Sequence, residues 1–204
     1  DIFVGGRLIP MAYPFAPRSY ILENDGKGYF SDVTEKYSKL LLNPGMVTDA
    51  VWSDFSGDGK PDLAIVGEWM KIRLFMNEGK NLTEITDRCG LKDSEGWWNT
   101  IIAEDFDKDG DMDYVAGNLG LNSQIKASVN EPVTIYAKDF DNNGSVDAMM
   151  CYYILGTSYP FCSKDDLQDQ MPFIEKKYPT YESYTNQKIT DIFSAEELSD
   201  ALML

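Results

Sequence analysis

The chain has 204 residues, 43% of them hydrophobic and 13% aromatic, enough apolar material for one or two folded domains and too much for a disordered chain. Its formal net charge of −16, from 34 acidic against 18 basic residues, disfavours nucleic-acid phosphate and anionic membrane surfaces as partners. The absence of histidine removes Ser-His-Asp and Cys-His catalysis and the usual zinc sites, and no apolar run reaches membrane-spanning length.

Taken in order, the first residues, Asp1 to Gly6, have the form Asp-apolar-apolar-Val-Gly. The same form returns at Asp62 to Gly67 and at Asp113 to Gly117, each time directly after an aspartate-rich loop. Asp1 is therefore expected to be the last residue of such a loop, and the chain to begin inside a repeat. Residues 21–34 then read as strand, Asn-Asp-Gly turn and strand, and residues 72–86 repeat that pattern around Asn77 and Gly79. The glycines serve turns with positive φ, not a phosphate cradle.

Three loops share one nine-residue pattern. The fullest is Asp105, Phe106, Asp107, Lys108, Asp109, Gly110, Asp111, Met112, Asp113, with carboxylates at positions 1, 3, 5, 7 and 9 and glycine at 6. The loop from Asp54 to Asp62 places Ser56 at position 3, Asp58 at 5 and Lys60 at 7; the loop from Asp139 to Asp147 has Asp141, Asn143 and Ser145 at those places. So many carboxylates in one tight turn repel one another unless a cation accepts them, and a hard divalent ion takes six to eight oxygens. The side chains at positions 1, 3, 5 and 9 and the backbone carbonyl at position 7 are the expected ligands. An EF-hand carries a bidentate glutamate at position 12. Here that place holds Ile65, Ala116 and Met150, so these loops are not EF-hands. Magnesium also prefers oxygen but demands stricter octahedral geometry, so calcium is the expected ion.

The first two loops start 51 residues apart. A unit can be written as strand (50–55), acidic loop, strand (62–66), link, and hairpin, and four short strands per ~50 residues is the signature of a propeller blade. A few blades close no ring, so the remaining ones are expected outside these residues. The third loop follows the second by only 34 residues, with the stretch from Gly117 to Ser123 and then Lys126 to Pro132 in place of a hairpin before the strand at 133–140. Trp69, Trp97 and Trp98 are expected between blades, with an exposed glycan-stacking platform as the other reading. Cys89, Cys151 and Cys162 follow no metal-ligand spacing; they read as small buried or partly buried thiols, or as a Cys151–Cys162 disulfide plus one thiol. From Ser163 the pattern turns helical, with N-cap candidates Ser163, Thr180 and Ser194, a capping box at Ser194 and Glu197, and Leu198, Ala201 and Leu202 at helical spacing.

The acidic loop, the strand after it and the hairpin ending in Asp-Val-Thr resemble the FG-GAP/VCBS repeats of integrin α-chain propellers. More narrowly, the stretch from Gly117 to Ser123 and the helical tail resemble bacterial relatives of cartilage acidic protein that carry an ASPIC/UnbV domain, particularly in Bacteroidetes. The resemblance implies a seven-bladed propeller and calcium at Asp54, Asp58 and Asp62, at Asp105, Asp107, Asp109 and Asp113, and at Asp139, Asp141 and Asp147. Ser56 and Asn143 depart from all-aspartate loops, which implies weaker sites there. No ASPIC/UnbV domain lies in this sequence.

The expected fold is mainly β: partial propeller blades of four antiparallel strands over residues 1–160, and a helical insertion or tail over 161–204. The expected function is a non-catalytic, calcium-stabilised module for extracellular or cell-surface binding to a protein or glycan, exported with its leader removed to the periplasm, the cell surface or the exterior. The alternative is part of a secreted polysaccharide lyase or hydrolase. That would need an acid/base pair such as Glu68 and Glu104, or a Lys/Tyr pair near Lys126 and Tyr152.

Overall fold

The computed structural model describes residues 1–120 and 123–204; Leu121 and Asn122, in the stretch expected to replace a hairpin, lie outside the described residues. The fold is mainly β, with antiparallel sheets, a few short helices, and no closed ring of sheets among the described residues. The chain divides into two compact units, Asp1–Ile9 with Phe15–Leu119, and Pro10–Pro14 with Gly120–Leu204.

In the first unit, β1 (Ile2–Val4), β2 (Tyr20–Asn24) and β3 (Phe30–Asp32) form a three-stranded antiparallel sheet. A helical turn, α1 (Thr34–Tyr37), follows. Then β4 (Met46–Ser53), β5 (Asp62–Met70), β6 (Arg73–Asn77) and β7 (Leu82–Glu84) pair in sequence as a meander, which is the strand–loop–strand–hairpin unit expected from the sequence. The strands run longer than expected: β4 begins four residues earlier and β5 ends four residues later. The two hairpins turn for the same reason. Asn24 Oδ1 accepts the Gly26 N–H at 2.8 Å and Asn77 Oδ1 accepts the Gly79 N–H at 2.9 Å, with the glycines at φ 77° and 86°.

Strand β5 is the centre of this unit. Its apolar run shows no alternation with polar residues because both faces are covered. Leu63 and Ile65 pack with Ile21, Leu41, Val47 and Phe75 on one face. Ala64 and Val66 pack with Ile101 on the other, with Trp98, Tyr114 and Ala116 against the same cluster. The second face thus meets β8 (Gly96–Glu104) and β9 (Asp113–Asn118), an antiparallel pair around the second acidic loop. Asp49 in β4 fixes the join: its Oδ2 accepts the Thr100 hydroxyl at 2.7 Å and the Ile101 N–H at 2.9 Å.

In the second unit, β10 (Thr134–Lys138) and β11 (Asp147–Ile154) pair around the third acidic loop, and β12 (Thr157–Pro160) pairs with β11. Helices α2 (Lys164–Gln170), α3 (Phe173–Lys177), α4 (Tyr181–Tyr184), α5 (Ile189–Ile192) and α6 (Ala195–Ser199) follow. Ser163, Thr180 and Ser194 each accept a backbone N–H three residues on. Leu167, Met171, Ile174, Ile189 and Ile192 from the helices pack with Met149 and Cys151 of β11. Leu202 departs from the helical expectation: α6 ends at Ser199, and β13 (Leu202–Met203) pairs with β10, because the last backbone groups bond to that strand, Leu204 N–H to the Ile135 carbonyl. All three cysteines are free thiols, Cys89 exposed, Cys151 buried and Cys162 half-buried. Burial, then the nearby Cys162, push the Cys151 thiol up to about 12, away from the range of a reactive thiolate.

Candidate metal centre

Each acidic loop is wound around the carboxylate at its first position. Asp54 accepts the N–H groups of Asp58 and Gly59 at 3.1 and 2.7 Å. Asp105 accepts those of Asp109 and Gly110, both at 3.1 Å, and Asp139 those of Asn143 and Gly144 at 3.0 and 2.9 Å. The side chain at position 5 then accepts the N–H of position 7: Lys60 on Asp58, Asp111 on Asp109, and Ser145 on Asn143, at 2.9, 3.1 and 2.8 Å. This winding requires two left-handed residues. Position 6 is Gly59, Gly110 or Gly144 at φ 83°, 101° and 88°; position 4 is Gly57, Lys108 or Asn142 at φ 71°, 64° and 59°. Sequence reading found the glycine at 6 and missed position 4, where only one loop in three announces itself with glycine.

The ninth aspartate turns back into the loop. Asp113 Oδ2 accepts the Phe106 N–H at 3.0 Å and Asp147 Oδ2 accepts the Phe140 N–H at 2.9 Å. In the first loop the donor shifts by one residue: Asp62 Oδ2 accepts from Ser56 N–H at 3.0 Å. Asp62 is fully buried, and its Oδ1 accepts the Asn77 N–H of the following hairpin at 2.6 Å. Asp1 holds the corresponding place, its Oδ1 accepting the Asn24 N–H at 2.8 Å.

Two loops bring three carboxylates close enough together that they could hold a cation. One oxygen from each of Asp105, Asp107 and Asp109 lies within 4.8 Å of the others, and the same holds for Asp139, Asp141 and Asp147. Charge crowding is visible in their acidity. The neighbouring charge of Asp109, then burial and the other loop carboxylates, push the Asp111 carboxyl up. Burial, aided by Asp141 and Asp139, pushes up Asp147. Donors that are all oxygen, mostly carboxylate, on short loops fit a hard divalent cation and suit neither zinc nor copper. Loop one differs. Among the described residues its carboxylates form no such group of three; the Lys60 ammonium sits 2.6 Å from Asp58 Oδ2, and the hydrogen bond it donates holds the Asp58 carboxyl below its usual range.

An FG-GAP-like repeat model matches residues 54–116. The matched segment runs from Asp54, the first residue of loop one, to three residues past Asp113, the last of loop two, so it holds two of the three loops, strands β5 to β8 and the start of β9. No curated protein and no solved structure gives a significant match to the chain.

The Glu68 and Glu104 pair is not brought together. Glu68 pairs across β5 and β8 with Trp97, and Glu104 lies seven residues further along β8. That is about 23 Å of extended strand, far beyond the separation of a glycosidase carboxylate pair. Glu68 is buried under Arg7, whose Nε and Nη2 donate to its Oε1 at 2.9 and 2.5 Å. Trp69 and Trp97 are half-buried, and their rings pack against each other with centroids 5.4 Å apart.

Proposed function

We propose that this chain is part of a calcium-stabilised, non-catalytic β-propeller module that works outside the cell or at its surface by binding a protein or glycan. Its ions are held by Asp105, Asp107, Asp109 and Asp113 in loop two and by Asp139, Asp141, Asn143 and Asp147 in loop three. The carbonyls of Asp111 and Ser145 complete these shells. Loop one offers Asp54, Ser56, Asp58, Asp62 and the Lys60 carbonyl. What carries this reading is the agreement between loops two and three. Two loops with different residues at positions 4, 5 and 7 share one hydrogen-bond frame, and each draws three carboxylates to within 4.8 Å, from positions 1, 3 and 5 in loop two and 1, 3 and 9 in loop three.

The FG-GAP-like match and the β4–β7 meander support the propeller part of the proposal. A calcium requirement suits compartments where the ion is plentiful. No helix among the described residues is long and apolar enough to cross a membrane. The kinship with bacterial relatives of cartilage acidic protein is also part of the proposal, and rests on the Gly117–Ser123 stretch and the helical segment. Metal analysis of protein purified in calcium and then desalted tests the ion assignment. Retained calcium that falls on Asp105→Asn and again on Asp139→Asn is expected; calcium no higher than in a loop-free control protein contradicts it.

A further inference from the structure

The end of β5 carries a feature that the acidic loops do not use. Where β5 pairs with β8, Glu68 lies opposite Trp97 and Met70 opposite Gly96, so Trp69 is the extra residue of a β-bulge. Its φ is 56°, a left-handed conformation that is an outlier for so bulky a side chain. The bulge re-aims the indole onto Trp97, with the ring centroids 5.4 Å apart. Glu68 pairs with Met46 of β4 on one side and with Trp97 on the other, and residues directly opposite in a ladder share a face. Glu68 is 3% accessible, and its Oε1 accepts from Nε and Nη2 of Arg7, whose own side chain is 60% accessible. A rigid guanidinium fork, held by a buried carboxylate, therefore stands in one row with two half-buried indoles.

We infer that this row is a glycan-binding site, which takes the apolar face of a neutral pyranose on Trp69 and Trp97 and its hydroxyls on the N–H groups of Arg7. The inference rests on the binding-module reading given above and names the class of ligand. Strained backbone persists where the surrounding structure imposes it, and it concentrates at ligand contacts. A pyranose has C–H groups on its faces and hydroxyls at its rim, which suits rings flanked by donors. Met46 and Met70, the neighbours of the pair in β4 and β5, are buried, so the row offers rings and N–H groups instead of the broad apolar centre of a protein interface. The charge of Arg7 is matched by Glu68 and the chain carries −16, which favours a neutral sugar over an anionic one.

The test is titration of the isotope-labelled whole chain in calcium with neutral β-linked glucan, mannan and xylan oligosaccharides, and with oligogalacturonate as the anionic probe, reading the indole N–H signals. At least one neutral oligosaccharide should shift the Trp69 and Trp97 signals and leave that of Trp52, on β4, in place. Trp69→Gly, which keeps the left-handed backbone, should weaken binding about tenfold or more, and Arg7→Lys, which keeps the charge beside Glu68, about threefold. Trp52→Ala should bind as the parent does. Urea midpoints check that each variant folds, and the signals of the parent chain decide the matter if one does not. Sugar that binds without moving Trp69 and Trp97, undiminished affinity in Trp69→Gly or Arg7→Lys, or preference for oligogalacturonate overturns the inference and leaves the module reading standing. So does the failure of every oligosaccharide to bind a chain that retains calcium. A chain that neither retains calcium nor binds sugar overturns both.

Discussion

Gly57, Lys108 and Asn142 share one left-handed conformation, and they bear its cost unequally. An L-residue with a Cβ is strained there by roughly 1–2 kcal/mol, which asparagine relieves in part by local hydrogen bonding. Nothing lies within 4 Å of a Cβ placed on Gly57, so Gly57→Ala should cost about 1 kcal/mol purely through the backbone. Lys108→Gly should gain about 0.5 kcal/mol, less than the strain released, because glycine also loosens the unfolded chain. Urea midpoints of the two variants in chelator check this, and a destabilised Lys108→Gly would contradict it. Asp32 gives a residue-scale test in pH. The Thr34 hydroxyl, then the Thr34 N–H and Arg18, hold its carboxyl at about 2 instead of the ordinary 3.8. A lowered folded-state value means the stabilisation is complete above the unfolded value and is lost as pH falls from about 4 towards 2. Asp32→Asn should therefore lower the urea midpoint at neutral pH and flatten its decline across that window. An unchanged slope would show that Asp32 does not act this way. None of this could be read from residue order, since a left-handed lysine and a threonine-bonded aspartate look like any other lysine and aspartate.

The hairpins show what an element owes to one buried side chain. Thr34 Oγ1 accepts the Ile21 N–H at 2.8 Å, and Thr86 Oγ1 accepts the Leu74 N–H at 3.1 Å. Both threonines are buried, and each donates its hydroxyl to an acid two residues back, Asp32 or Glu84. Each closes the open end of its hairpin, where the strand would otherwise leave a donor unpaired. Thr86→Val keeps the shape and strands that N–H, which should cost about 1–3 kcal/mol, and Thr86→Ser should recover most of the loss. Equal losses for both variants would make the effect one of packing. The sequence displayed these elements well: the Asn-x-Gly turns, the acidic loops and the N-cap serines are local signals with local causes. It displayed Thr34 and Thr86 only as a repeated letter, because the donor each satisfies is 12 or 13 residues away. It misassigned Leu202 to a helix for a similar reason, since the strand that claims it is some 65 residues earlier in the chain.

For the molecule as a whole, the first unit stacks sheets on both faces of β5, and its joins are made by apolar clusters and by Asp49. Burial pushes the Asp49 carboxyl up, but hydrogen bonds from the Ile101 N–H, the Thr100 hydroxyl and the Ala50 N–H outweigh it and hold it low. The unbroken Leu-Ala-Ile-Val run of β5 signalled a strand covered on both sides, and the period of about 50 residues signalled the unit. Loops that crowd carboxylates around one point store repulsion that a bound cation would release. The most direct measurement is thermal unfolding of the chain in calcium, in magnesium and in excess chelator, beside a variant carrying Asp105→Asn and Asp139→Asn. An ion at 100 times its dissociation constant adds about 2.7 kcal/mol per site. Calcium should therefore raise the midpoint by several degrees over chelator, magnesium should give less, and the double variant should lose most of the rise. A midpoint indifferent to calcium, or a rise that the double variant keeps in full, would contradict the claim that these loops are structural calcium sites.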